Sequence, residues 1–332
     1  MTTLVLMAPD TFADQFDPAR LERLSSLVTL TDPMHVSDLD ELPPQVLAGV
    51  DIVISGWGAP VLDSARIESL PALRHVIHCG GTVKSLVSPA LWARGITVSS
   101  AAEPNAIPVA EFTFAAIVMA GKKAPFLAAD ARTKRADWSY RHQRGRLSNL
   151  GLHVGIVGFS RIGRRVVKRL QQLEDVTVLV SDPFADPSKV AAAGGELSQL
   201  HDLLPRVEVL SIHAPNLPST RHLIGAAELA LLPDHATVIN TARGQLLDTA
   251  ALEAECVAGR LQAILDVTDP EPLPSDSVLY ELPNVMITPH IAGSLDTEIR
   301  RMTDTALDEL ERVCRGLRLR HEVTEDDLPL IA

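Results

Sequence analysis

Short apolar runs and longer stretches with helical apolar spacing take turns along the first hundred residues. Thr3 to Met7, Val28 to Leu30, Asp51 to Ser55, Arg74 to His78 and Ile96 to Ser99 read as strands. Strands that alternate with helices in this way build a parallel sheet covered on both faces. Residues 1 to about 103 are therefore expected to form one α/β unit. Ile107 to Lys122 then reads as a long buried helix, and 124 to 149 as a polar, arginine-rich arm that carries Trp138 and Tyr140. The strand pattern resumes near Gly151, at Val154 to Val157, Val176 to Val180, Val207 to Ile212, Thr237 to Asn240, Ala263 to Asp266 and Val285 to Thr288. From Leu295 the spacing is helical through Gly316, and a short acidic tail follows.

Composition narrows the class without changing this picture. With 332 residues the chain exceeds what one core usually serves, which agrees with two domains, and 46% hydrophobic residues suffice to fill both. A formal net charge of −12 argues against a general nucleic-acid or membrane-surface binder, since either partner would be repelled. The arginines of the 124–149 arm are expected to serve an intersubunit contact instead. Three scattered cysteines, Cys79, Cys256 and Cys314, suit neither a disulfide framework nor a zinc cluster, and a reducing cytoplasm is the expected setting. The N-terminus lacks the basic start and apolar core of a signal peptide. The longest apolar stretch, Ile107 to Ala120, is interrupted by Glu111 and reads as too short to span a bilayer.

Chemistry enters at the ends of the later strands. His153 to Gly158 is a strand running into Gly158-Phe-Ser160-Arg-Ile-Gly163, and Arg164 to Leu173 continues with helical spacing. This is the strand, glycine turn and helix that dinucleotides use, the helix start directing N–H groups at a pyrophosphate. Ser160 stands where the fingerprint has its second glycine, and such a turn can also occur with no ligand. The next strand ends at Ser181-Asp182, about 20 residues past the glycines, where a carboxylate accepts from both ribose hydroxyls and repels a 2′-phosphate. The pattern therefore predicts NAD rather than NADP. Arg243, Glu271 and His290 each sit at or just beyond a predicted strand end, so a parallel sheet would gather them along one edge.

Five stretches carry a resemblance: Gly155 to Gly163, His213-Ala-Pro-Asn-Leu-Pro-Ser-Thr-Arg-His-Leu-Ile-Gly225, Asn240-Thr-Ala-Arg-Gly244, Leu265-Asp-Val-Thr-Asp-Pro-Glu-Pro-Leu273 and Thr288-Pro-His-Ile-Ala-Gly293. In this order they resemble the D-isomer-specific 2-hydroxyacid dehydrogenase family, over nearly the whole chain and most densely from Gly151 to Gly293. The resemblance implies an α/β fold of two doubly wound parallel-sheet domains with a cleft between them. One is a flavodoxin-like substrate domain, residues 1–103 completed by 295–332. The other is a Rossmann NAD-binding domain, 104–294, including a dimerisation arm at 124–149.

It also implies an oxidoreductase that moves a hydride between NAD(H) and a small 2-keto or D-2-hydroxy acid, acting as a homodimer. The family's catalytic groups fall on Arg243, Glu271 and His290. A protonated His290 can donate to the ketone oxygen, Glu271 favours and orients that imidazolium, and the planar fork of Arg243 can hold a carboxylate. By position, Gly158, Arg161, Ile162, Gly163 and Asp182 would contact the pyrophosphate and adenosine ribose. Ala214, Pro215 and Thr220 would line the adenosine side, Thr241, Ala242 and Asp266 the nicotinamide half, and Gly293 would let the chain pass close to the cofactor.

The family's carboxylate-gripping glycine loop falls on Gly80, Gly81 and Thr82. Here Thr82 replaces a glycine and Lys84 an aspartate, so Lys84 is either a surface residue or a charge near the acid pocket. Trp57 is expected to wall the pocket, or else to be core. His75, His78 and Cys79 do not suggest a metal, because strand geometry sends the two histidines to opposite faces. The resemblance suits a glyoxylate or hydroxypyruvate reductase, or a phosphoglycerate dehydrogenase-like enzyme without a regulatory domain, the chain stopping soon after the returning helix. The alternatives it leaves are an NAD-sensing corepressor-like binding protein and a phosphite- or formate-type dehydrogenase on the same scaffold.

Overall fold

The computed structural model describes residues 1–330. They divide into two compact units, residues 1–106 with the chain from Ser294 on, and residues 107–293.

The first unit is built on β1 (Thr2–Leu6), β2 (Thr29–Val36), β3 (Ile52–Ser55), β4 (His75–His78) and β5 (Thr97–Ser100). Their spatial order is 2-1-3-4-5, all parallel, and a late two-residue strand, β13 (Glu322–Val323), adds antiparallel to β5. Successive side chains leave a strand on opposite faces. Leu4 and Leu6 therefore join Val53, Val76 and Val98 in one core layer, while Val5 joins Ile52, Ile54 and Ile77 in the other. The second layer is closed by the helix Ile299–Cys314, which buries Ala306, Leu307, Leu310 and Val313 at helical spacing. β2 runs six residues past the Leu30 end expected from the sequence, with a register shift against β1 and Pro33 inside it. It is an edge strand, where a residue with no N–H costs no ladder bond.

The second unit carries β6 (His153–Val157), β7 (Thr177–Ser181), β8 (Glu196–Leu197), β9 (Val209–Ile212), β10 (Thr237–Asn240), β11 (Gln262–Leu265) and β12 (Val285–Ile287). The order is 8-7-6-9-10-11-12 and every pairing is parallel. β8, with two residues, was too short to show as an apolar run. The order reverses between β6 and β9, and in sheets of this kind ligands bind outside the C-terminal strand ends at that point.

Two expectations for the long helix need correction. The long helix is Ala102–Gly121, five residues longer at its start than the sequence suggested, because Pro104 falls in the first turn, where a missing N–H is tolerated, and Pro108 is accommodated inside. At 20 residues this helix is long and apolar enough to cross a membrane by length and composition, contrary to the expectation that the segment is too short. Over half of its apolar window is nevertheless buried, with Ala110, Ala116, Ile117 and Ala120 packed into the core of the second unit. The 124–149 arm holds the helix Ala124–Thr133 and a 3-10 turn, Ser139–Arg144. Buried Asp130 ties the two by accepting from Arg144 Nε and Nη2, both at 2.8 Å. Tyr140 is buried while Trp138 stands 69% exposed.

Candidate active site

At the end of β6 the chain turns at Gly158 with φ of 98°, in the left-handed region. A Cβ there would lie 2.6 Å from the Ala214 nitrogen, and one on Gly163 would overlap the Gly158 carbonyl. Both glycines are thus demanded by close backbone approach. Ser160 has an extended conformation (φ −71°) that needs no glycine, and its Oγ accepts from Gly163 N at 3.3 Å, capping the helix Arg161–Leu170. The positive end of that helix dipole faces the turn, a cradle that fits a pyrophosphate.

Asp182 follows β7 directly. Its Oδ2 accepts from Phe159 N at 2.8 Å and its Oδ1 from Phe184 N at 2.9 Å, so the carboxylate also pins the glycine turn to the end of β7. Each oxygen keeps lone-pair capacity for a ribose hydroxyl. Ala214 is buried against the turn, and Thr220 Oγ1 closes the following loop by donating to Pro215 O at 2.7 Å. His213, given no role from the sequence, is buried at the end of β9 with Nε2 2.9 Å from Ser211 Oγ. Burial pushes its pKa down to about 3, so the ring stays neutral. Its position at a strand end was the available signal.

The reactive constellation stands at the ends of β10, β11 and β12. Arg243 is half-buried and donates from Nη1 to Ala242 O at 2.6 Å. Burial lowers its pKa and the Glu271 carboxylate opposes that, leaving a guanidinium that is charged at any working pH. Buried Asn240 shapes the loop, accepting from Ala242 N at 3.0 Å and donating to Arg243 O at 2.9 Å. Gly244 is required because a Cβ would overlap the Thr268 carbonyl. Thr241 Oγ1 lies 2.8 Å from Thr113 Oγ1 on the long helix.

Glu271 Oε1 lies 2.6 Å from His290 Nδ1, so the structure brings together the pair that the sequence placed 19 residues apart. Both side chains are about half exposed, which leaves His290 Nε2 open to a reactant. His290 sits in the left-handed region at φ 55°, held by its N–H donating to Asp266 O at 3.0 Å. Asp266 is buried, and its carboxylate accepts from Thr288 Oγ1, Ile291 N and Ala292 N at 2.7 to 2.9 Å. In the structure this side chain builds the loop that carries His290, a role the sequence did not suggest.

In the first unit, Gly80, Gly81 and Thr82 follow β4, with Gly80 O accepting from Ala101 N at 2.9 Å. Thr82 Oγ1 accepts from Lys84 N at 3.4 Å, and Lys84 itself is exposed. Trp57, 39% exposed, follows β3. His75 Nδ1 meets Thr97 Oγ1 at 2.7 Å and His78 Nδ1 meets Ser55 Oγ at 3.0 Å, each ring committed to a neighbouring strand. Among the described residues no cluster of three or more potential metal ligands occurs.

Residues 115–292 match the family model described as D-isomer specific 2-hydroxyacid dehydrogenase, NAD binding domain, and the chain belongs to that family. Its second unit is an NAD-binding domain, and the cofactor is NAD. The chain is similar to D-3-phosphoglycerate dehydrogenase of Methanocaldococcus jannaschii, 29% identical over 91% of this chain and 60% of that protein. It is also similar to (S)-sulfolactate dehydrogenase of Chromohalobacter salexigens, 32% identical over 76% of this chain and 81% of that one. A solved structure from Thermus thermophilus superposes with a TM-score of 0.75 and 28% identity, covering 98% of this chain and 100% of the other. The chain spans 46 to 60% of the length of the curated phosphoglycerate dehydrogenases it matches.

Proposed function

We propose that the protein is an NAD-dependent D-2-hydroxyacid dehydrogenase that reduces a small 2-keto acid to the D-2-hydroxy acid, or runs the reverse. The observation that carries this reading is the 2.6 Å Glu271–His290 pair at the edge of an NAD-binding sheet, where the Glu271 carboxylate also acts electrostatically on the Arg243 guanidinium. When bound, the nicotinamide supplies or takes up the hydride. His290 Nε2 donates the proton to the ketone oxygen, and in reverse the neutral ring removes it. Glu271 fixes the ring orientation through Nδ1 and favours the imidazolium. Arg243 holds the substrate carboxylate and polarises the ketone.

The remaining assignments are proposed on the same footing. Gly158, Arg161, Ile162, Gly163 and Asp182 hold the pyrophosphate and ribose, Ala214, Pro215 and Thr220 the adenosine side, and Thr241, Ala242, Asp266 and Gly293 the nicotinamide half. The first unit is the substrate domain, with Gly80, Gly81 and Thr82 gripping the carboxylate and Trp57 walling the pocket. The protein is placed in the cytoplasm as a homodimer built on the long helix and the 124–149 segment; exposed Met119 and Trp138 support the dimer, and light scattering in solution checks it. The activity is tested by following NADH consumption with glyoxylate, hydroxypyruvate, pyruvate, phenylpyruvate and 2-ketoisocaproate. Turnover with at least one acid, faster with NADH than NADPH, is expected. Tight NADH binding with no turnover would move the reading to a cofactor-sensing binding protein, and NADH formation from NAD with phosphite or formate, with no keto acid reduced, to a different oxidation.

A further inference from the structure

The register of the first sheet sets Ser55, His78 and Ser100 side by side at the C-terminal ends of β3, β4 and β5. All three are buried. This end of an open parallel sheet is where ligands bind. Among the described residues the Ser55 hydroxyl has no partner except His78 Nδ1, at 3.0 Å. A buried hydroxyl needs an acceptor, so Ser55 donates to Nδ1 and the ring proton sits on Nε2. Burial keeps the imidazole neutral, its pKa lowered to about 4, with the Thr82 backbone pulling the other way as an acceptor near the ring does.

That Nε2–H is buried and makes no hydrogen bond of normal geometry among the described residues; the Thr82 backbone stands near the ring without closing one. It lies where a side chain on Gly80 would be, since a Cβ there would overlap it. The missing side chain of Gly80 thus leaves room for the imidazole beneath the loop. On the other side, Asn105 Oδ1 accepts from Ser294 N at 3.0 Å, which turns its Nδ2 toward Gly81, 3.0 Å from the place of a Cβ. Two neutral N–H donors therefore stand at the Gly80–Gly81 pair, one of them buried and in no hydrogen bond of normal geometry.

We propose that His78 is a substrate-contacting specificity residue, its Nε2–H donating to a carboxylate oxygen of the acid held over Gly80 to Thr82, with Asn105 Nδ2 as a second donor. The proposal rests on the dehydrogenase reading above. It makes the carboxylate grip of this loop a set of neutral donors, indifferent to pH across the neutral range.

The test uses the full chain, NADH and whichever acid of the panel the wild type reduces. His78→Leu removes the donor at similar volume, and His78→Gln returns an N–H near the Nε2 position. KM for the acid is expected to rise about tenfold or more in the leucine variant, as for loss of a hydrogen bond to a charged group. kcat and the Kd for NADH should stay within about threefold, and glutamine should recover most of the KM, consistent with one such bond. An unchanged KM in folded His78→Leu overturns the proposal. So does a rise that glutamine does not reduce, or that moves kcat and NADH binding with it, since that assigns His78 to packing. Should the leucine variant fail to fold, Ser55→Ala carries the test: the ring proton is then no longer pinned to Nε2, so KM should rise with kcat held, and an unchanged KM overturns the proposal. If the wild type reduces none of the acids, the dehydrogenase reading itself fails, a result distinct from any of these.

Discussion

His290 and Asp182 show how one side chain is held by several neighbours at once. A left-handed φ costs a non-glycine residue roughly 1–3 kcal/mol, and at His290 the loop tied to Asp266 imposes it. Asp182 was marked in the sequence by its distance to the glycines, the spacing that dinucleotide-binding turns use. Its bond to Phe159 N was not legible, since it depends on how the turn lies in space. The same holds for Asp266, whose partners are 22 to 26 residues away, and for His213, marked in the sequence only by its place after a strand. Asp182→Ala should therefore do two things: narrow the preference for NADH over NADPH, and weaken binding of both by loosening the turn. Comparing Kd values for the two cofactors checks this, and tighter NADPH binding with NADH unaffected would mean that the carboxylate does not brace the turn.

Among the elements, the glycine turn and its helix separate what a residue permits from what it does. Gly163 meets backbone, which cannot move aside, whereas Ser160 is a helix cap that happens to occupy a glycine's place in the fingerprint. Gly163→Ala should lower NADH affinity at least tenfold or leave the unit unfolded, because the overlap is with a main-chain oxygen. Ser160→Ala should cost about 1 kcal/mol of stability from the lost cap, and Ser160→Gly only a few tenths. Urea unfolding of the variants, with NADH titration, distinguishes the two residues. Most strands were readable because buried parallel strands are continuous apolar runs. The misreadings have local causes: Pro104 hid the start of the long helix, Pro33 hid the extension of an edge strand, and β8 is too short to leave a pattern.

At the scale of the whole molecule, each unit buries one neutral histidine at the C-terminal edge of its sheet, His78 in the first and His213 in the second. Both have pKa values pushed down by burial, to about 4 and about 3, from the ordinary 6.5. An unfolded chain takes up protons on these rings near pH 6.5, while the folded chain resists until far lower. Their contribution is therefore full above pH 6.5 and is lost as pH falls toward 4 and below. Urea midpoints should drop between pH 7 and 4.5, and the drop should be smaller in a His78→Gln, His213→Asn double variant. An equal drop would place the acid sensitivity in the carboxylates instead. The second sheet was legible as the second onset of strand–helix alternation near Gly151, and the five ordered motifs contain Arg243, Glu271 and His290.

Hydride transfer to a keto acid with His290 as proton donor is followed with NADH deuterated at the nicotinamide C4 position. Mass spectrometry of the product after incubation with an accepted keto acid should show one deuterium at C2, with formation of the D-hydroxy acid slowed about a hundredfold or more in His290→Ala. Tight NADH binding without label in any product, or an unchanged rate in the variant, would contradict the account.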